Sequence, residues 1–284
     1  MQVSKAIKRW FPLFALPTLL AFGLAFLVPF ILGLGLSFTK FTTVKNAKFN
    51  GFANYQEILS SSNSFVHALG FTALFTVVSV VTVNFFAFAL AMLLTRGIRG
   101  TNLFRTVFFM PNLIGGIVLG YIWQLLINAI LTNWFGDTIS AKSQYGFWGL
   151  VVVMNWQMIG YMMIIYIAGI QNVPTEMIEA ASIDGASFMT TIRRVIIPMV
   201  MPSFTICSFL TMSNSFKLFD QNLSLTAGQP GTSTRMLALD IYQTFYGTSG
   251  ARGFGQAKAV IFFVLVAVVA VIQLRATRTK EVEG

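Results

Sequence analysis

Six stretches of this sequence, residues 11–39, 58–95, 106–136, 143–175, 195–216 and 253–274, contain no Asp, Glu, Lys or Arg apart from Lys258. About 20 apolar residues cross the hydrocarbon core of a bilayer, and a single segment satisfies its own backbone there only as a helix. The sequence therefore predicts an all-α integral membrane protein with six transmembrane helices, at about 11–38, 66–95, 106–131, 147–171, 195–217 and 254–274. The remaining segments are too short for a separate hydrophilic domain, so residues 1–284 read as one transmembrane domain. The first run is about twice the length of a signal-peptide core and lacks a small-residue cleavage site, so it reads as a retained helix.

With 56% hydrophobic and 10% charged residues, the chain is excluded from the water-soluble globular class. The net charge of +10 reads as cations held at a membrane face, not as a nucleic-acid surface. Lys5, Lys8, Arg9, Arg96, Arg99, Arg105, Arg193, Arg194, Arg275, Arg278 and Lys280 all fall in segments on one side of a six-helix topology. Their density is about twice that of the other side, which predicts both termini in the cytoplasm. Lys40, Lys45 and Lys48 oppose that bias. One Cys (Cys207) and one His (His67) leave no disulfide and no protein-built zinc site, and both residues read as helix packing. No GxxxxGK[ST] loop and no Ser/His/Asp set is present, so the chain is predicted not to be an enzyme and to hold no cofactor of its own.

Residues 171–198, between the fourth and fifth spans, read as helix, turn, helix. Pro174 ends the preceding span, Thr175 is an expected N-cap, and Glu176 and Glu179 are expected in the first turn, near the positive end of the helix dipole. Gly185 suits a left-handed C-cap, and Ser187 can begin a second short helix ending in Arg193 and Arg194. Asp184 reads as solvated or capping. Ile178 and Ala181 share a small apolar face, which rests either on lipid headgroups or on a partner.

Two polar stripes lie inside the spans. Met154, Gln157, Met158 and Tyr161 recur at i, i+3, i+4 and i+7 in the fourth, and Thr211, Asn214, Ser215 and Leu218 repeat that spacing in the fifth. Such groups either glue helices together or face a cavity. Trp156, Tyr161 and Phe216 are the aromatic faces available nearby, while Tyr121, Trp123 and Trp134 also suit an interfacial belt. Lys217 either snorkels to headgroups or offers a cation to an acidic substrate. Residues 236–247 form an amphipathic segment that suits either a membrane surface or a protein partner.

The order Glu179-Ala180-Ala181, three residues, Gly185, nine residues, then Val195, Ile197 and Pro198 resembles the EAA-x3-G-x9-I-x-L-P signature of ABC importer permeases. Gly51-Phe52-Ala53-Asn54-Tyr55, Phe108-Phe109-Met110-Pro111, Tyr161-Met162-Met163 and Leu225-Thr226-Ala227-Gly228-Gln229-Pro230 are similar to stretches of the maltose-type carbohydrate permeases, with Gln229 in place of a usual Gly. So is the tail 275–280. The order of these pieces fits the first of two paired permeases. The resemblance implies a type I ABC importer permease fold in the bacterial or archaeal cytoplasmic membrane. It also implies three kinds of partner: a second homologous permease, two ATPase subunits that bind ATP and Mg, and an external solute-binding protein. Glu179, Ala180, Ala181, Gly185, Arg193 and Pro198 would couple to the ATPase, and the two stripes would contact a sugar. Glycerol phosphate or an acidic sugar is the alternative cargo within the same class. An ion-coupled secondary transporter is the rival from another class, and the absence of acids within the predicted spans opposes it.

Overall fold

A computed structural model describes residues 2–60, 64–248 and 250–278, and the tail beyond Arg278 lies outside them. Among the described residues the architecture is helical, with one minimal hairpin, and its contacts divide into two units.

The first unit holds residues 1–63 and 241–262. Helix α1 (Gln2–Phe22) runs through a π turn at Gly23–Leu27 into α2 (Val28–Leu36), and Leu13–Leu36 is apolar enough to cross a membrane. Strands β1 (Thr39–Lys40) and β2 (Lys48–Phe49) pair antiparallel, and α3 (Ala53–Ile58) follows. Asn54, which is buried, ties these pieces together by donating from Nδ2 to the carbonyls of Ser37 at 2.8 Å and Thr39 at 3.0 Å. A buried amide left unsatisfied would cost about 1–3 kcal/mol, so this side chain fixes the exit of the first span.

The second unit holds residues 64–240 and 263–284. Its helices are α4 (Ser64–Leu94), α5 (Thr101–Phe109), α6 (Gly116–Phe135), α7 (Ser143–Gln171), α8 (Thr175–Ile183), α9 (Phe188–Thr191), α10 (Ile197–Met199) and α11 (Met201–Phe216). Helix α12 (Leu237–Gly247) and helix α13 (Arg252–Arg278) each begin in one unit and end in the other.

The core of this unit is α4, α7 and α11. Helix α4 buries Ala68, Thr72, Phe75, Ser79, Val83, Ala87 and Ala91, spaced by four residues with one step of three, which keeps one stripe toward α7. Polar pairs tie the stripe in register. Tyr166 donates its hydroxyl to Asn84 Oδ1 at 2.7 Å, and Asn155 donates to Thr82 Oγ1 at 2.9 Å. In lipid the apolar faces of helices gain little from each other, so such bonds and close backbone approach select the partner.

Two expected spans take a different form. The third, expected over 106–131, divides: α5 ends at Phe109, a 3-10 turn covers Met110–Leu113 with Pro111 near its start, and the long apolar helix is Gly116–Phe135. Pro111 has no N–H to continue α5. The fifth, expected over 195–217, is bent by 72° between Phe188–Met199 and Met201–Phe216, where Pro198 and Pro202 flank the break. Among the described residues five helices are therefore long and apolar enough to span a membrane, or six with the bent pair counted as one.

Candidate functional site

One face of α7 and the chain leaving α11 line an open-sided cavity of about 550 Å³. Its wall includes Met154, Gln157, Met158 and Tyr161 from α7, so the whole fourth-span stripe faces one space. From the fifth-span stripe only Asn214 and Leu218 reach it. Thr211 and Ser215 are fully buried away from the lining, with hydroxyls that have no hydrogen-bond partner among the described residues.

The reason is local. Helix α11 stops at Phe216, and Lys217 carries the chain out of the helix with φ −93° and ψ 8°. Positions beyond it no longer project at 3.6 residues per turn, and Lys217, Leu218, Phe219, Asp220 and Gln221 wrap along the cavity instead. Asp220 and Gln221 carry no periodic signal in the sequence. Asn112 and Gly116, also in the wall, come from the break between α5 and α6, which the apolar run conceals.

The wall is braced by amides. Gln157 donates to the carbonyl of Ile114 at 3.2 Å and accepts from Gln221 Nε2 at 2.6 Å, which joins the α5–α6 break, α7 and the post-α11 segment. Gly116 allows the close approach on the other side: a Cβ there would lie 2.7 Å from Cβ of Asp220. Of the expected aromatic faces, Tyr161 lines the cavity, Phe219 takes the place expected of Phe216, and Trp156 packs edge-on against Trp123 with centroids 5.6 Å apart. Phe216 is itself buried. The space thus offers amides, a phenol, one cation and one carboxylate beside two aromatic rings. That set suits a polyhydroxylated ligand better than an apolar one.

The second assembly of functional interest is residues 171–198. Pro174 occupies the N-cap position, so Thr175 is the first helical residue and not the cap expected of it. Glu176 stands in the first turn of α8, while Glu179 lies one turn further on, outside the expected position. At the other end Asp184 is the C-cap and Gly185 has φ +75°. Gly185 N–H donates to Ser182 O at 3.1 Å and Ala186 N–H to Ala181 O at 2.9 Å, the paired bonds of a Schellman motif. Ser187 Oγ then accepts from Thr190 N–H and starts α9. A π turn at Ile192–Ile196 carries Arg193 and Arg194, both exposed, and leads into Pro198 and the 72° bend.

Glu179 and Ala180 are exposed and Ala181 is half-buried. Met177, Ile183, Phe188 and Met189 are exposed as well, Ile183 by 86%, so the two short helices present an apolar surface. Arg96, just past the end of α4, lies over the Phe188 ring at 4.2 Å from its centroid and braces this surface against the bundle. Single exposed apolar residues need no explanation, but four on one short capped unit mark a contact surface.

Residues 237–240, the start of the expected outer segment, are largely buried: Leu237 N–H donates to Thr72 Oγ1 at 3.0 Å, and Asp240 accepts from Ser64 at 2.7 Å. The later part exposes Tyr242 and Tyr246, whose rings are 4.9 Å apart. Among the described residues no cluster of His, Cys, Asp and Glu could hold a metal ion.

Comparison with known proteins is consistent with this layout. The profile of a family described as "binding-protein-dependent transport system inner membrane component" matches residues 95–279. A protein of Thermoanaerobacterium thermosulfurigenes, named a probable starch degradation products transport system permease, is 46% identical over 282 residues and is covered to 96%, as is this chain. A multiple sugar-binding transport system permease of Streptococcus mutans is 28% identical, with 99% of this chain and 100% of that protein covered. Among solved structures, a bacterial ABC transporter involved in import of the acidic polysaccharide alginate superimposes with a TM-score of 0.79 at 20% identity, over 98% of this chain and 99% of that one. The last similarity speaks to the fold alone.

Proposed function

The chain belongs to the binding-protein-dependent transport system inner membrane components, and from that premise we propose that it is one permease half of an ATP-driven importer for neutral oligosaccharides released from starch. It is a multi-pass membrane protein of the type I ABC importer permease fold. In this reading it sits in the bacterial or archaeal cytoplasmic membrane with both termini inside. A second homologous permease completes the pathway, two ATPase subunits bind ATP and Mg, and an external solute-binding protein delivers the sugar.

The observation that carries the reading is that one chain combines a polar cavity between α7 and α11 with a capped, apolar-faced unit at 175–191, the two connected through the bend before α11. ATPase closure moves spans only through a stiff element that contacts both, and α8 with its Schellman cap is such an element. Glu179 offers a carboxylate to a cation on the ATPase, and Ala180 and Ala181 permit close docking. Rocking of the paired permeases then exposes the cavity to each side in turn.

The ion-coupled reading is set aside by family membership. The absence of acids from the spans is a weaker argument than the sequence suggests, because Asp220 lies just past α11 and still reaches the cavity.

Uptake of labelled maltotriose by cells carrying the whole importer should be lost on deletion of this chain and restored by its return. Unlabelled glycerol 3-phosphate in hundredfold excess should not compete. Competition by glycerol 3-phosphate, with no loss of maltotriose uptake in the deletion strain, would contradict the substrate assignment.

A further inference from the structure

Resting on the oligosaccharide reading above, we infer that Asp220 is a specificity-determining residue that makes the cavity reject anionic sugars, offsetting the attraction of Lys217. Both residues belong to the wall of the same cavity. Neither has an ion-pair or side-chain hydrogen-bond partner among the described residues; Asp220 accepts there only through its backbone carbonyl, from Ser224 Oγ. Lys217 and Asp220 are three residues apart yet not bridged to each other, so each charge is available to whatever enters.

The carboxylate is placed by a specific accommodation. Oδ2 of Asp220 lies 3.1 Å, and its Cβ 2.7 Å, from where a Cβ on residue 116 would stand, so the side chain occupies space that exists because residue 116 is Gly. The neighbouring Gln221 is held by Gln157, which leaves the chain at Asp220 little freedom to swing away.

The consequence for the ligand follows from charge. A lysine alone in such a wall would favour a uronate or a sugar phosphate. With an unpaired carboxylate in the same wall, an anionic ligand meets repulsion as well as attraction, and part of its desolvation goes uncompensated. A neutral sugar meets no such opposition. Its hydroxyls can donate to the carboxylate and accept from the ammonium, and hydrogen bonds to ionised groups are the stronger kind. Tyr161 and Phe219, in the same wall, add aromatic surface for the C–H side of the same sugar.

The test uses the assembled importer in proteoliposomes with two probes, maltotriose and its aldonate, maltotrionic acid, which differ by one carboxylate. Initial uptake is read as the ratio of acid to neutral sugar. Every variant is served by the same binding protein, so that protein's own preference cancels when a variant's ratio is divided by that of wild type. Asp220→Asn keeps the shape of the side chain and should raise the ratio at least tenfold, with maltotriose uptake lowered by no more than about fivefold. Asp220→Ser carries the same expectation should the amide impair assembly. A ratio within twofold of wild type in Asp220→Asn, or no detectable acid uptake while maltotriose still enters, overturns the assignment and leaves the oligosaccharide reading standing. A wild-type importer that moves the aldonate but not maltotriose, or neither probe, overturns both.

Discussion

Replacing Gly185 by Val should lower substrate-stimulated ATP hydrolysis of the assembled importer by tenfold or more while the chain still inserts and assembles. Gly185 has φ +75°, and nothing lies within 4 Å of the place where its Cβ would stand. The effect is therefore conformational and not a clash. A β-branched residue held in the left-handed region costs on the order of 1–3 kcal/mol. Releasing that strain breaks the two Schellman bonds that end α8, worth about 0.5–1.5 kcal/mol each. The loop then loses the stiffness that coupling requires. Asn tolerates φ > 0 better than other non-glycine residues, so Gly185→Asn should retain at least a third of wild-type stimulation. Glu179→Ala, which leaves the cap intact, should reduce stimulation by loss of an interfacial charge. Wild-type stimulation in Gly185→Val with normal assembly would contradict the coupling role of this loop.

Gly160→Val should prevent stable assembly altogether. A Cβ at residue 160 would overlap the carbonyl oxygen of Phe108 and stand 2.8 Å from the amide nitrogen of Phe109. Both are backbone atoms, so no rotamer change relieves the overlap, and α7 must separate from the end of α5. Overpacking typically costs about 1–3 kcal/mol, and a rigid backbone obstacle belongs at or above the top of that range. Gly70 provides the control, because a Cβ there has nothing within 4 Å. Gly70→Ala should leave the yield of assembled complex unchanged or slightly raised, since Ala is the better helix former. The measurement is the amount of intact complex recovered from membranes at equal expression, followed by its apparent melting temperature. Wild-type recovery and melting in Gly160→Val would show that α5 and α7 do not pack as described.

How much of this was legible in the sequence depends on whether the determining signal was local. The helix–turn–helix at 171–198 announced itself through Pro174, Gly185 and Ser187, each of which acts on its own backbone or on residues within one turn. The errors there were single positions: Pro174, not Thr175, occupies the cap, and Glu179 lies one turn beyond the first. The α7 stripe was legible because a long helix projects i, i+3, i+4 and i+7 onto one side, and Met154, Gln157, Met158 and Tyr161 share one cavity. The same spacing misled in α11, where Thr211 and Ser215 fall inside the helix packing and the chain leaves the helix after Phe216.

What the sequence concealed came from breaks within apolar runs. Pro111 divides the third run, and the resulting turn brings Asn112 and Gly116 to the cavity. Asp220 and Gln221 are brought to the same place by the break at 217–219 and the short helical turn that follows it, with Gly116 giving room for the first and Gln157 holding the second. Close approaches such as Gly160 to Phe108 join residues far apart in the chain, and no single-sequence pattern encodes them.

The central claim, that this chain is one half of an ATP-driven pathway, is tested most directly by reconstitution with one component left out at a time. Proteoliposomes should contain this chain, a second permease, both ATPase subunits and the binding protein, with labelled maltotriose on the binding-protein side and ATP and Mg on the other. Accumulation against a gradient should occur with the full set and cease on omission of any one component or of ATP. Accumulation by this chain alone, or by the full set without ATP, would contradict the account.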